Sequence, residues 1–406
     1  MLSSRERVLK ALSFEETDRV PMDLSGMLST SISCFAYPGL VKALGLPERR
    51  VRVYDTGQML ALPDIDVLDA LGCDVVTVFM DVTNAYGQPE LWHPYDFNGR
   101  LDALVLNPKM FQTLPDGTII QPEHGRSMPP ASHVFESEHA GQLLELSSDI
   151  PKPNLKEIKD RMTQNPLRDD EIKRVAGMCK RVRESSDLAV FFNGIGAGIG
   201  IAAHTGIAMF PMLCLTEPEF VTELHELIVS DAIHRVEVLL PEIKDYIDIY
   251  NCSADDWGTQ NSTVAAPRIY QDLFQPFYRR FTDAIHRLAP NVKAFLHSCG
   301  AIYDILDMVI DSGFDILNPV QWTAGGHSYQ EWKDKARKRI TLWGGGVHTQ
   351  ETLPLGTAEQ VAREVDQIVR YMRQDGGFVF CAIHNILAEI APENVIAMYR
   401  AAAEAR

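Results

Sequence analysis

Eight short apolar runs alternate with longer amphipathic runs along the chain, and this alternation restricts the fold more than any other feature of the sequence. The runs fall at 20–24, 74–79, 188–193, 246–252, 292–297, 315–318, 340–343 and 378–381. Several are near-continuous Val, Ile, Leu and Phe, the pattern of parallel strands covered on both faces. The stretches between them are punctuated as helices. Thr216-Glu217-Pro218-Glu219 and Thr357-Ala358-Glu359-Gln360 are capping boxes, Asp311-Ser312-Gly313 and Gly376-Gly377 are stops, and Pro392-Glu393-Asn394 opens the last helix. Eight βα units predict an α/β protein with a TIM (β/α)8 barrel, read as a single domain over residues 1–406. Six strands would leave a doubly wound sheet instead. With 46% apolar residues in 406, the chain has ample material for such a core.

The segment 81–187, between the second and third predicted strands, is far too long for an ordinary βα connection. It reads as an insertion, with hairpins and loops punctuated by Pro89, Pro94, Gly99, Pro108, Gly117 and Pro122, then helices from Asn154. Placed after a strand's C-terminal end, it is expected over the barrel mouth, as a lid or as a structural or oligomer contact.

Charge narrows the partners. Lys and Arg number 38 against 55 Asp and Glu, a net −17, which repels nucleic-acid phosphates and anionic lipid. The N-terminus lacks the apolar core of a signal peptide, and the most apolar stretch, 195–212, is broken by His204 and several glycines, so a cytoplasmic protein is expected. Seven cysteines without framework spacing are then reduced thiols or metal ligands. A homodimer is the prior for such a barrel.

In a TIM barrel the chemistry sits at the C-terminal strand ends, so the residues there are the candidates. His297-Ser298-Cys299 follows the fifth strand, and residues two apart at a strand end share a face, so imidazole and thiolate converge. The eighth strand offers Cys381 and His384 at the same mouth. Three N/S ligands with an open fourth position describe a catalytic zinc site. Cys381 and His384 are three apart and cannot both point inward from a straight strand, so one of them is expected as the third ligand. Asp255 and Asp256 follow the fourth strand, one expected in the pocket and the other on backbone, for proton transfer or substrate hydrogen bonding. His348 is a further acid/base candidate. Asn193, Trp257, Gln260, Asn318, Gln321 and Trp343 are the candidate substrate contacts. The run Gly194 to Gly200 lacks the spacing of a dinucleotide fingerprint, since positions 199 and 201 are isoleucine, and reads as a loop over the mouth.

The order of these residues resembles the uroporphyrinogen decarboxylase superfamily, and within it the corrinoid-dependent methyltransferases. The likeness includes Arg5-x-x-Val8-Leu9-x-Ala11-Leu12 before Asp18-Arg19-Val20-Pro21, Asp255-Asp256-Trp257-Gly258-Thr259-Gln260, His297-Ser298-Cys299-Gly300, Gly313-x-Asp315-x-Leu317-Asn318-Pro319-Val320-Gln321, Trp343-Gly344-Gly345-Gly346, and Cys381 to Asn385. The decarboxylases carry an arginine-rich motif after strand one that grips porphyrinogen carboxylates; Asp23-Leu24-Ser25-Gly26-Met27-Leu28-Ser29 here has no arginine. The resemblance implies a TIM barrel in which His297, Cys299 and either His384 or Cys381 hold zinc. It also implies methyl transfer between a small methylated molecule and a corrinoid (cobalamin) on a separate protein, since no Asp-x-His-x-x-Gly corrinoid motif occurs here. O-demethylation of methoxylated aromatics is the expected reaction. Transfer to a thiol or tetrahydrofolate, metal-free decarboxylation of a non-porphyrin acid, and a noncatalytic corrinoid-protein scaffold are the alternatives. Asp255, Asp256 and His348 would protonate the leaving group or orient the substrate.

Overall fold

The computed structural model describes residues 2–137 and 150–405. Seven parallel strands run in sequential spatial order: Val75–Phe79, Ala189–Asn193, Ile249–Ala254, Lys293–His297, Ile316–Asn318, Thr341–Trp343 and Phe378–Val379. The eighth place belongs to the segment around Met22. On one side Phe380 N donates to the Pro21 carbonyl at 2.8 Å and Asp23 N to the Phe380 carbonyl at 2.9 Å; on the other, Asp74 N donates to the Met22 carbonyl at 2.7 Å. These bonds join the two edges of the sheet, and the fold is a TIM barrel. The expected strand 20–24 is thus a single parallel bridge, Met22 to Phe380, and Pro21, with no N–H, cannot donate to a longer ladder.

Alternate residues of the strands face inward. Val75, Ala189, Phe191, Ile249, Phe295, Ile316, Trp343, Val379 and Cys381 form one buried cluster, with Val8 and Leu12 of the N-terminal helix Ser4–Leu12 packed against them. Trp343 meets Phe191 and Phe295 edge-on, at centroid distances of 5.8 and 5.7 Å. The same period of two carries Asn193, Asn251, His297 and Asn318 inward at the strands' C-terminal ends, above the apolar layer. Flanking helices bury one stripe each, such as Val361, Val365, Ile368, Val369 and Met372 of Ala358–Met372.

Between the first two barrel positions lies a hairpin, Val51–Asp55 with Leu60–Ala61, which falls outside the eight apolar runs because Arg52 and Tyr54 alternate with its valines. It joins the segment that follows the second barrel strand: Val51–Asp55 pairs in parallel with Asp102–Val105, which pairs antiparallel with His93–Asp96. A separate sheet, antiparallel throughout, contains Gln112–Thr113, Ile119–Gln121, Arg126–Met128 and Glu136–Ser137, and the helices Leu155–Gln164 and Asp169–Ser185 follow. Residues 138–149 of the expected insertion 81–187 lie outside the described residues. Among the described residues no helix is long and apolar enough to cross a membrane.

Barrel closure rests on a buried carboxylate. Asp74, with no exposed surface, accepts from Arg7 Nη1 (2.6 Å), Arg19 Nη1 (2.7 Å) and Met22 N (2.9 Å). Replacing it leaves two guanidinium groups facing a buried hole, so Asp74→Ala is expected to cost about 3–5 kcal/mol, read as a fall in the urea midpoint with an unchanged slope.

Candidate metal centre at the barrel mouth

His297 ends the strand Lys293–His297 and stands beside Asn318, its register partner on Ile316–Asn318. His297 Nδ1 lies 2.6 Å from Asn318 Oδ1. Asn318 Nδ2 donates to the Trp343 carbonyl at 2.9 Å, so the amide oxygen is the atom left for the ring; Nδ1–H donates to it, which leaves Nε2 to face the mouth. Cys299 Sγ is 3.2 Å from that Nε2. The His384 ring sits 6.0 Å from the His297 ring, centroid to centroid. One ligand atom from each of His297, Cys299 and His384 can be chosen so that all lie within 4.8 Å of one another. Two imidazole nitrogens and a sulfur at that spacing are the donor set zinc takes when its fourth position stays open, so the residues present fit the ion.

Backbone contact between two strand-end loops holds this geometry. Gly258 N donates to the Cys299 carbonyl (3.0 Å) and Ala301 N to the Thr259 carbonyl (2.8 Å), pressing the 258 and 300 backbones together. A Cβ on Gly300, which has a φ of +87°, would lie 2.2 Å from the Gly258 carbonyl carbon. No side chain fits there. Asp256 locks the other side of the turn: its Oδ1 accepts Cys299 N–H at 2.9 Å and lies 3.4 Å from His297 Nε2. Burial opposes charge on His297, but the adjacent Cys299 and Asp256 outweigh it and raise its pKa well above 6.5. Burial, with the charge of His297 adding to it, lowers the His384 pKa to about 4, so that imidazole is neutral near pH 7, the form that ligates.

The eighth strand supplies His384 to this group and not Cys381. The ladder ends at Val379, and Cys381 still follows the inward alternation, buried among the barrel-interior side chains with Sγ 4.0 Å from Asn318 Nδ2. Burial holds its thiol well above the ordinary value, against a ligating thiolate. The chain then bends at Ile383 and His384, which brings the His384 ring round to the mouth.

Of the acidic pair, Asp256 lines the mouth cavity and Asp255 does not. Asp255 is buried and accepts from Trp257 Nε1 (2.5 Å), Tyr278 Oη (2.7 Å) and Ile201 N (2.7 Å), which anchors the glycine-rich loop; burial raises its pKa to about 7 against those bonds. The expectation that His348 is an acid/base group is corrected: its Nδ1 accepts from the backbone N–H groups of Gln350 and Glu351, a turn-capping role, and its ring packs on Trp322. Trp257 is not a substrate floor, because its ring is buried edge-on against Tyr270 and Phe274. Trp343 is likewise barrel core, with Nε1 on Asp23 Oδ2 at 2.9 Å. Gln260 and Gln321 tie loops, donating to the Thr323 carbonyl and accepting from Gly300 N, and Asn318 positions His297. Of the expected substrate contacts, Asn193 lines the cavity.

That cavity, about 680 Å³, is walled by Met27, Leu28, Tyr54, Phe79 and Met80 on its apolar side and by Ser29, Gln58, Asn193, Asn251 and Asp256 on its polar side, with His297 and His384 at the metal group. Tyr54 and Gln58 come from the hairpin at 51–61, and the alternation Val51-Arg52-Val53-Tyr54 before Thr56-Gly57 is the one sequence signal for them. Asn251 Oδ1 is buried and has no hydrogen-bond partner among the described residues.

Residues 131–405 match the family model described as uroporphyrinogen decarboxylase (URO-D). The uroporphyrinogen decarboxylase of Syntrophotalea carbinolica (strain DSM 2380 / NBRC 103641 / GraBd1) is 26% identical over 145 residues, 34% of this chain and 37% of that protein, so the match spans little over a third of the relative's length. A solved structure of a methyltransferase from Methanosarcina mazei is 15% identical and covers 99% of this chain and 98% of its own at a TM-score of 0.55, a likeness of fold.

Removing the Asn318 amide frees the His297 ring, so Asn318→Ala is expected to weaken zinc binding by about 10–100-fold in a chelator competition. Cys381→Ser is expected to leave zinc affinity unchanged in the same assay. Gly300→Ala should fail to hold zinc at all, since Cys299 cannot keep its place.

Proposed function

The chain belongs to the uroporphyrinogen decarboxylase family, and within that family we propose that it is a zinc-dependent methyltransferase, moving a methyl group from a small methylated donor to the cobalt of a corrinoid on a separate protein. The observation that carries this reading is the approach of His297, Cys299 and His384 to one point at the foot of the mouth cavity. His297 through Nε2, Cys299 through Sγ and a ring nitrogen of His384 would hold the ion. Zinc bound there supplies Lewis acidity toward the heteroatom that carries the methyl group.

The residues of the chain do the rest. Asn318 fixes the His297 tautomer and ring plane, and Asp256 holds the Cys299 backbone through its N–H. Tyr54 and Phe79, with centroids 4.1 Å apart, together with Met27 and Met80, offer an apolar wall suited to an aromatic ring. The unpartnered Asn251 Oδ1 is an acceptor for a donor group such as a phenolic hydroxyl. A methoxylated phenol meets both demands, which is why O-demethylation of such compounds is the reading we favour. Among the described residues the cavity wall carries no Lys or Arg, so a porphyrinogen with its many carboxylates has no guanidinium or ammonium group to meet it.

The test supplies the zinc-loaded protein with cob(I)alamin and 4-hydroxy-3-methoxybenzoate and follows methylcobalamin by absorbance. Methylation of cobalt is expected, with loss of about a hundredfold or more in rate in Cys299→Ser and His384→Ala. Protein that binds about one zinc per chain yet methylates cobalt from no methoxylated, amine or thioether donor would overturn the proposal. Protein without zinc affinity that releases carbon dioxide from a small acid would instead favour decarboxylation, the chemistry of the family's namesake.

A further inference from the structure

The opposite end of the barrel carries a second cavity, about 450 Å³, which methyl transfer does not use. Ile340 and Gly377 line it, and they precede the strands Thr341–Trp343 and Phe378–Val379, so it opens at the N-terminal strand ends. Phe14 and Tyr371 supply aromatic surface, and Lys333, Arg337 and Lys338 supply three cations against Asp334 and Asp375. Asp375 lies 4.0 Å from Lys338, and Asp334 accepts the Tyr371 hydroxyl at 3.2 Å. Among the described residues neither Lys333 nor Arg337 has a carboxylate within 4.0 Å.

Lys333 is the unusual member. Its Nζ is partly buried and donates to the Gly376 carbonyl at 2.5 Å. Burial depresses its pKa to about 8, with the Lys338 charge adding to the effect and Asp375 working against it. At pH 7 such an amine is neutral in roughly one molecule in ten, on the order of a hundredfold more than an ordinary lysine. An amine withdrawn from water and set beside another cation is the arrangement that makes lysine a nucleophile. The backbone bends to place the neighbouring cations there: Arg337 and Lys338 are consecutive non-glycine residues at φ +26° and +60°, strain of the kind that concentrates at functional sites.

We propose that this cavity is a second ligand site that takes a small anionic aldehyde, its phosphate or carboxylate met by Arg337 and Lys338 and its carbonyl carbon bonded reversibly to Lys333. The Nζ lone pair forms the C–N bond as the carbonyl π electrons pass to oxygen. The carbonyl oxygen then leaves as water with the two protons the amine gives up. Imine formation therefore needs no oxidant, reductant or further reactant, and water reverses it.

Full-length protein is incubated with pyridoxal 5′-phosphate or with pyridoxal, trapped with borohydride, and mapped by peptide mass spectrometry. Lys333 is expected to be labelled at least tenfold faster than exposed lysines such as Lys42 and Lys109, and at least fivefold faster by the phosphate ester than by pyridoxal. Arg337→Gln should erase the preference for phosphate, and Lys333→Gln the adduct. Label spread evenly over exposed lysines, or equal labelling of Lys333 by both aldehydes, would sink the proposal. The measurement on unaltered protein decides without the variants, and it does not depend on methyl transfer.

Discussion

The barrel depends on the carboxylate of Asp74. Held without exposed surface between Arg7 and Arg19, it accepts Met22 N–H while its own N–H reaches the Met22 carbonyl. A bridge of single residues is a weak ladder, and the segment 20–24 makes little more than one. Charge-assisted hydrogen bonds at its foot compensate, since buried guanidinium groups are stable only while their acceptor is present. Closure in turn fixes which residues point inward on all the other strands.

Once the strands are closed, the period of two does the remaining placement. It puts a layer of Phe, Ile, Val and Trp in the barrel interior and a layer of Asn and His above it. Hydrogen bonds tie the polar layer together, with Asn251 Oδ1 left over: Asn193 donates to the Gly26 carbonyl and to Thr77 Oγ1, Asn251 to Asn193, and Asn318 binds both Trp343 and His297. Buried amides with filled hydrogen bonds are rigid, and the rigidity aims one His297 nitrogen at the mouth. The Gly258–Gly300 contact brings Cys299 to meet it, at a closeness side chains would forbid.

The two ends of the barrel differ in chemistry. At the mouth an acidic and imidazole-bearing floor lies beneath apolar and amide walls, with Asp256 beside His297. At the base, cations border a cavity whose lysine is kept short of acidic partners. The proposed metal site and the proposed anion site therefore lie at opposite ends of the barrel, far enough apart that their ligands would not compete.

The alternation of apolar runs was enough to locate all eight barrel positions, because a parallel strand covered on both faces must be apolar along its length. The His297-x-Cys299 pair was legible for the same reason: two residues apart on a strand end is a statement about geometry that sequence already contains. The residue that joins them at the mouth was not. Cys381 and His384 differ only in whether the chain bends after Val379, and the tertiary structure decided it by keeping Cys381 in the barrel interior and turning His384 outward. Trp257, Trp343 and His348 read as pocket residues by their place after strands, yet each found a buried partner or a turn to cap, which only packing reveals. Tyr54 and Gln58 reach the cavity from a hairpin whose pairing with Asp102–Val105 spans some fifty residues of chain; the local alternation at 51–54 marks a strand but does not say what it pairs with. Sequence determined what each strand must bury; the folded chain decided which polar groups were left over to face the mouth.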